Sequence, residues 1–176
     1  FLLGLGAGEI AAALVLVPLI FLAGTLARWG LPAPARTALL VVAGLVLGVA
    51  DLRHRTPHVW RQVPQRLVGA LPPATLGTAW GFDLGLLFTT QKTTSLIWVA
   101  LLGVVLFAPA AAAPVLLSMA LVSVAAIATL TWWAASRRDA DVTGRRGHGW
   151  FLLARRASGA ALVALAVLVA VHALPA

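Results

Sequence analysis

The stretch FTTQKTTSLIW, residues 88–98, holds the chain's one lysine, Lys92, among Thr89, Thr90, Gln91, Thr93, Thr94 and Ser95, with apolar runs on both sides. A cation ringed by hydroxyls and an amide has the makings of a polar binding cavity. Two acids, Glu9 and Asp83, also stand inside apolar runs. A charged side chain at the centre of a bilayer costs about 2.5–3.5 kcal/mol on insertion scales, so such groups should face protein or water and pair with one another. Three readings compete for Lys92: a hydrated residue in a hairpin at the membrane surface, one arm of an ion pair that locks two helices, or part of a site that binds or moves something. The hydroxyls favour the third, with Lys92, Gln91, Thr89, Thr90, Thr93, Thr94, Glu9 and Asp83 as the candidate substrate-binding set.

Other chemistry finds less support. His54 and His58 are four apart, but Pro57 lies between them, and Arg53, Arg55 and Arg61 would repel a metal ion. His148 and His172 have no convergent ligands, and no histidine falls mid-span where it would ligate a haem. No Ser-His-Asp set, phosphate loop or usefully spaced carboxylate pair is present, so neither an enzyme nor a bound cofactor or metal is expected. With no cysteine in the chain, disulfides, thiol relays and thiolate metal sites are excluded.

The elements that would hold these residues are membrane spans. Of 176 residues 61% are hydrophobic and 10% charged, and the mean hydropathy is +0.99, outside the range of soluble domains. The net charge of +8 comes from arginines gathered mostly in two short segments, a loop signature rather than a nucleic-acid surface. The chain is apolar from Phe1, with no basic leader, cleavage motif or initiating methionine; residues, even a further helix, are expected to precede it.

Apolar runs at 1–26, 35–50, 76–88, 96–107, 114–135 and 150–174 predict an all-α, polytopic bundle of five or six spans forming a single integral membrane domain. The run at 35–50 is short and must tilt or borrow flanking residues. The segments 51–66 and 137–146, both rich in arginine, read as loops, and Asp51, Asp139 and Asp141 read as loop acids. If 76–107 is one crossing broken at the threonine cluster, or a re-entrant pair, both basic loops fall on one side, the cytoplasmic side of a cell membrane. Trp29, Trp60, Trp132, Trp133 and Trp150 then lie near span ends, whereas Trp80 and Trp98 flank the break.

Displaced by 77 residues, the chain aligns GLGAG (4–8) with GFDLG (81–85), and LIFLA (19–23) with LIWVA (96–100). This predicts a duplication with halves of roughly 1–66 and 67–135 and an extra C-terminal span at 150–174, with Pro18 weakening the first span where Ser95 and its neighbours weaken its counterpart. Gly4 and Gly8, and Gly81 and Gly85, have the small-residue spacing that lets helices approach closely.

At this repeat the chain resembles the superfamily of small duplicated membrane carriers that includes the CcdA and DsbD thiol-electron carriers and the LysE-type exporters. The resemblance rests on GLGAGEIAAALVLVPLIFLAG (4–24) and GFDLGLLFTTQKTTSLIWVALLG (81–103), which look like the glycine-containing broken helices that open each half. It implies that the two broken helices meet near the bilayer midplane. The family's cysteine positions fall near Glu9 and Ile10 and at Gln91, so dithiol chemistry is excluded. The family has three spans per half, against two clear ones in the first half here. By the same analogy Glu9 and Lys92 would meet as an ion pair where the thiol carriers hold a disulfide.

The function expected is carrier-like: translocation of a small solute, with Lys92 and the amides freed at the helix break suited to draw an anionic one. The rivals are a non-catalytic structural subunit of a membrane complex, and a component of redox or cofactor maturation without thiol chemistry. Expected partners are the lipid bilayer, a small solute and a membrane protein or second copy, with no nucleic acid.

Overall fold

The computed structural model describes residues 1–56, 65–87, 94–136 and 143–173. Among them the regular structure is entirely helical: α1 (Leu2–Gly30), α2 (Ala33–Leu52), α3 (Pro73–Gly85), α4 (Leu96–Phe107), α5 (Ala112–Ser136) and α6 (Thr143–Ala173), with 3-10 turns at Gln65–Leu67 and Pro109–Ala111. Four stretches are long and apolar enough to cross a membrane: Leu2–Gly30, Ala33–Leu52, Pro109–Trp133 and Leu152–Ala173. Helices α3 and α4 have 13 and 12 residues, about 20 and 18 Å at 1.5 Å per residue, and are too short to span alone. The five or six expected spans are thus four full-length helices and two short ones.

Several boundaries move, each for a local reason. α1 passes through Pro18 without a break and ends at Gly30, four residues beyond the apolar run. α2 gains Ala33 and Pro34 at its start, where proline costs no hydrogen bond, and Asp51 and Leu52 at its end. α3 likewise opens on Pro73, with Pro72 as its cap. α6 begins at Thr143 and takes in Arg145 and Arg146, so part of the basic segment 137–146 expected as a loop is helical.

Packing gathers the chain into two compact units. One holds α1 as far as Leu19, α3 and α5; the other holds α1 from Ile20, α2, α4 and α6.

In the first unit α1 and α3 run parallel with their backbones nearly touching. A Cβ added at Gly77 would meet the Phe1 carbonyl, one at Gly81 the Leu5 carbonyl, and one at Gly85 would lie 2.9 Å from the Glu9 Cα. Seen from α1, Gly4 and Gly8 lie against the Ala74 and Thr78 carbonyls. The small-residue spacing expected to bring helices together does so here, because only glycine leaves the space. The pairs Phe1–Gly77, Leu5–Gly81 and Glu9–Gly85 are each 76 residues apart, one short of the offset at which the sequence matches itself. Trp80 closes this contact edge-on against Phe1, with ring centroids 5.8 Å apart.

In the second unit α2 and α6 run antiparallel. A Cβ on Gly48 would lie 3.0 Å from the Gly159 carbonyl, and one on Gly44 would lie 3.1 Å from the Ala166 Cβ. α4 lies against α2 in the same unit, its Gly103 facing Leu40.

The large apolar side chains that stay exposed, among them Leu3, Leu14 and Leu121, suit lipid rather than water. Trp29 and Trp132 are exposed near the ends of α1 and α5, as expected of interfacial indoles.

Gly81→Leu forces the α1 and α3 backbones apart and is expected to cost about 2 kcal/mol or more, read as a lower thermal midpoint in detergent. Gly30→Ala, with nothing within 4 Å of the new Cβ, should leave the midpoint unchanged.

Candidate functional site

Among the described residues the most deeply buried charged side chain is one the sequence places in a loop. Asp51 is in the last turn of α2 and is 0% exposed. Its Oδ1 accepts hydrogen bonds from the Thr56 and Ser95 hydroxyls, both at 2.7 Å. Its Oδ2 accepts from the Ser95 backbone amide at 2.7 Å and from the Ser158 hydroxyl at 2.9 Å. All four donors are neutral and all belong to the second unit. Burial of a carboxylate in an apolar protein is tolerable only with its lone pairs filled in this way.

Each donor is delivered by a distinct local feature. α2 ends in a Schellman-type turn, in which the His54 amide bonds to the Asp51 carbonyl at 3.0 Å and the Arg55 amide to the Ala50 carbonyl at 2.7 Å. His54 takes the left-handed position there, at φ 58°, usually filled by glycine. The turn folds the chain back so that Thr56, itself buried, reaches the carboxylate of the helix just ended. Ser95 is the N-cap residue of α4 and makes no cap bond with its own side chain. Asp51 therefore supplies the cap from another helix, placing a carboxylate at the positive end of the α4 dipole. Ser158 sits next to Gly159, where α6 comes close enough to α2 for a serine hydroxyl to span the gap.

Of the expected set, Thr89, Thr90, Gln91, Lys92 and Thr93 lie outside the described residues, and the Glu9–Lys92 pairing with them. Thr94 is half-buried. Ser95, a neighbour of that set, is buried and bound to Asp51. Glu9 and Asp83 lie in the first unit, 3% and 7% exposed. Glu9 is buried, and its Oε1 accepts a hydrogen bond from the Ser123 hydroxyl on α5 at 2.7 Å. Its Cα packs on Gly85, two residues from Asp83. Among the described residues no cluster of three or more His, Asp or Glu side chains could hold a metal.

One feature of the anion-binding expectation changes. The first amide at the α4 end of the break, on Ser95, is not free for a solute; Asp51 holds it. An anion approaching that helix end meets a carboxylate.

Asp51 reads as a loop acid because the run DLRHR begins with it, and a charge run after an apolar stretch signals a helix end. The missed signals are quieter. Ser158 lies in ASGAA, residues 157–161, a small-residue stretch with a polar member, and α2 carries Gly48 and Gly44 about one and two turns before Asp51. Small residues beside a hydroxyl on one helix and a terminal acid on another are the pattern of a close, polar crossing.

Over the described residues these observations define an all-helical protein with membrane-length apolar helices and buried carboxylates. Comparison with protein-family models, with curated proteins and with solved structures finds no match.

Asp51→Ala leaves three hydroxyls and an amide without their acceptor and is expected to cost about 3–5 kcal/mol. Ser158→Ala removes a single donor and should cost about 1–2 kcal/mol. Chemical denaturation in mixed micelles, followed by tryptophan emission, measures both; equal losses would mean that the carboxylate is held by something other than this set.

Proposed function

We propose that the chain is a carrier-like, multi-pass membrane protein that moves a small solute through a polar site at the break between α3 and α4. The observation that supports it most is the Asp51 carboxylate, fully buried and served by neutral donors only, at the N-cap residue of α4. Intramembrane carboxylates without a basic partner are costly to keep and belong typically to proton or ion paths. The site is the polar stretch from Thr89 to Thr94 around Lys92, with Asp51 as its neighbour through Ser95, and with Glu9 and Asp83 as further interior acids. The Ser95 amide being occupied, the solute is a cation or a neutral molecule more readily than an anion.

The topology proposed is the one that places the segments 51–66 and 137–146 together on the cytoplasmic side, with 76–107 as one broken crossing. The arginine content of both segments supports this arrangement. The duplication and the kinship with the thiol-carrier and LysE-type superfamily are part of the same proposal, supported by the aligned glycine pairs.

A second reading, a structural subunit of a membrane complex, is favoured by one feature: the four bonds to Asp51 tie α2, α4 and α6 together as a lock would.

Single-cysteine variants separate the two, since the chain has no native cysteine. Lys92→Cys, Thr89→Cys and Thr94→Cys, treated with a membrane-impermeant maleimide from each face in turn, should label from one face only and at graded rates. Leu121→Cys, on the lipid-exposed surface of α5, should remain unlabelled. Protection of all three polar positions from both faces, in folded protein, would transfer the assignment to the structural subunit.

A further inference from the structure

The second unit contains an apolar cavity of about 230 Å³ between α2, α4 and α6. Leu40 and Gly44 line it from α2, Val99 and Gly103 from α4, and Leu162 and Ala166 from α6. No polar side chain enters it. Its lining on α4 runs from Leu96 to Gly103, about 10 Å along the helix, the form of a slot rather than of a pocket for a compact molecule.

One end of this slot is basic. Leu40 is one turn after Arg36, and Gly103 is one turn before Phe107. Arg36 donates from Nη1 to the Leu106 carbonyl at 2.9 Å, and its guanidinium lies 5.7 Å from the centre of the Phe107 ring. Arg28 donates from Nη2 to the Phe107 carbonyl at 2.6 Å. Each guanidinium has five N–H donors and uses one in these bonds. The Arg36 Nε is buried with no hydrogen-bond partner. α6 runs parallel to α4 here, so His172, one turn beyond the slot's Val169 and exposed, is at the same end.

No acid offsets these groups. Asp51 is the only acidic residue in the unit's segments 20–57, 92–110 and 143–176, and it stands 15 residues along α2 from Arg36, about 22 Å away.

We infer that this slot holds one acyl chain of an anionic phospholipid, with the lipid phosphate on Arg36 and Arg28. The apolar slot takes the chain because lipid is the apolar solvent around it, and small residues, Gly44, Ala100, Gly103 and Ala166, leave the room. The two arginines take the phosphate because guanidinium forks match its oxygens and keep donors unspent after capping α4. The inference does not depend on the carrier reading; a structural subunit would carry the same lipid.

The test is native mass spectrometry of the whole chain in detergent, titrated with palmitoyl-oleoyl phosphatidylglycerol and, separately, with the phosphatidylcholine of the same chains. One phosphatidylglycerol should be retained in preference to phosphatidylcholine. Arg36→Gln and Arg28→Gln should each weaken retention about fivefold. Gly103→Leu, whose Cβ has ordinary room at 3.8 Å from Leu40 Cδ1, fills the slot without touching either arginine and should abolish retention. It keeps the test decisive if loss of the α4 cap prevents the arginine variants from folding. Equal retention of the two lipids by the parent chain, or undiminished phosphatidylglycerol on Gly103→Leu, would overturn the assignment.

Discussion

A helix of 12 residues in an apolar protein has a problem that a full span escapes: its first amides and last carbonyls end where no water waits for them. α4 is such a helix, and the second unit is arranged around its two ends. At the start, the Asp51 carboxylate takes the Ser95 amide and hydroxyl. At the finish, Arg36 and Arg28 take the Leu106 and Phe107 carbonyls. A negative group meets the positive end of the dipole and two positive groups meet the negative end, each worth up to about 2 kcal/mol when partly buried. Asp51 and Arg36 are both carried by α2, whose approach to α4 is thus fixed at two points rather than one, and Arg28 of α1 adds to the second.

Close approach must come from somewhere other than the hydrophobic effect, since burying a leucine against another helix gains little over leaving it in lipid. Backbone proximity replaces it. In the first unit the glycines of α3 admit the carbonyls of α1; in the second, Gly48 and Gly159 bring α2 onto α6. Polar bonds then become short enough to matter. The Ser158 hydroxyl reaches Asp51 because Gly159 beside it lets the helices touch, and the Ser123 hydroxyl of α5 reaches Glu9 of α1.

How much of this could be read in the residues depends on which signal dominated locally. The apolar run at 96–107 coincides with α4, because polar residues bound it at one end and Pro109 at the other. The glycine spacings of α1 and α3 also carried their meaning unaltered, since a small residue every fourth position has few uses other than packing. Asp51 was masked by its neighbours: DLRHR is a helix stop, and the stop is real, but the helix closes on the acid instead of before it. Left-handed His54 is what allows that, by turning the chain back within one residue of the end. Ser158 was hidden for the opposite reason, a lone hydroxyl in a small-residue run, whose partner is 107 residues away.

Asp51 also bears on what α4 can do. The carboxylate accepts from four donors and so holds the start of α4 against α2 and α6 at once. The Ser95 amide can only donate, whereas the hydroxyls of Thr56, Ser95 and Ser158 keep lone pairs for a further donor. A negative charge would compete with Asp51 for the same amide while repelled by the carboxylate. The device that satisfies a short helix therefore also sets the sign of the charge its N-terminus accepts.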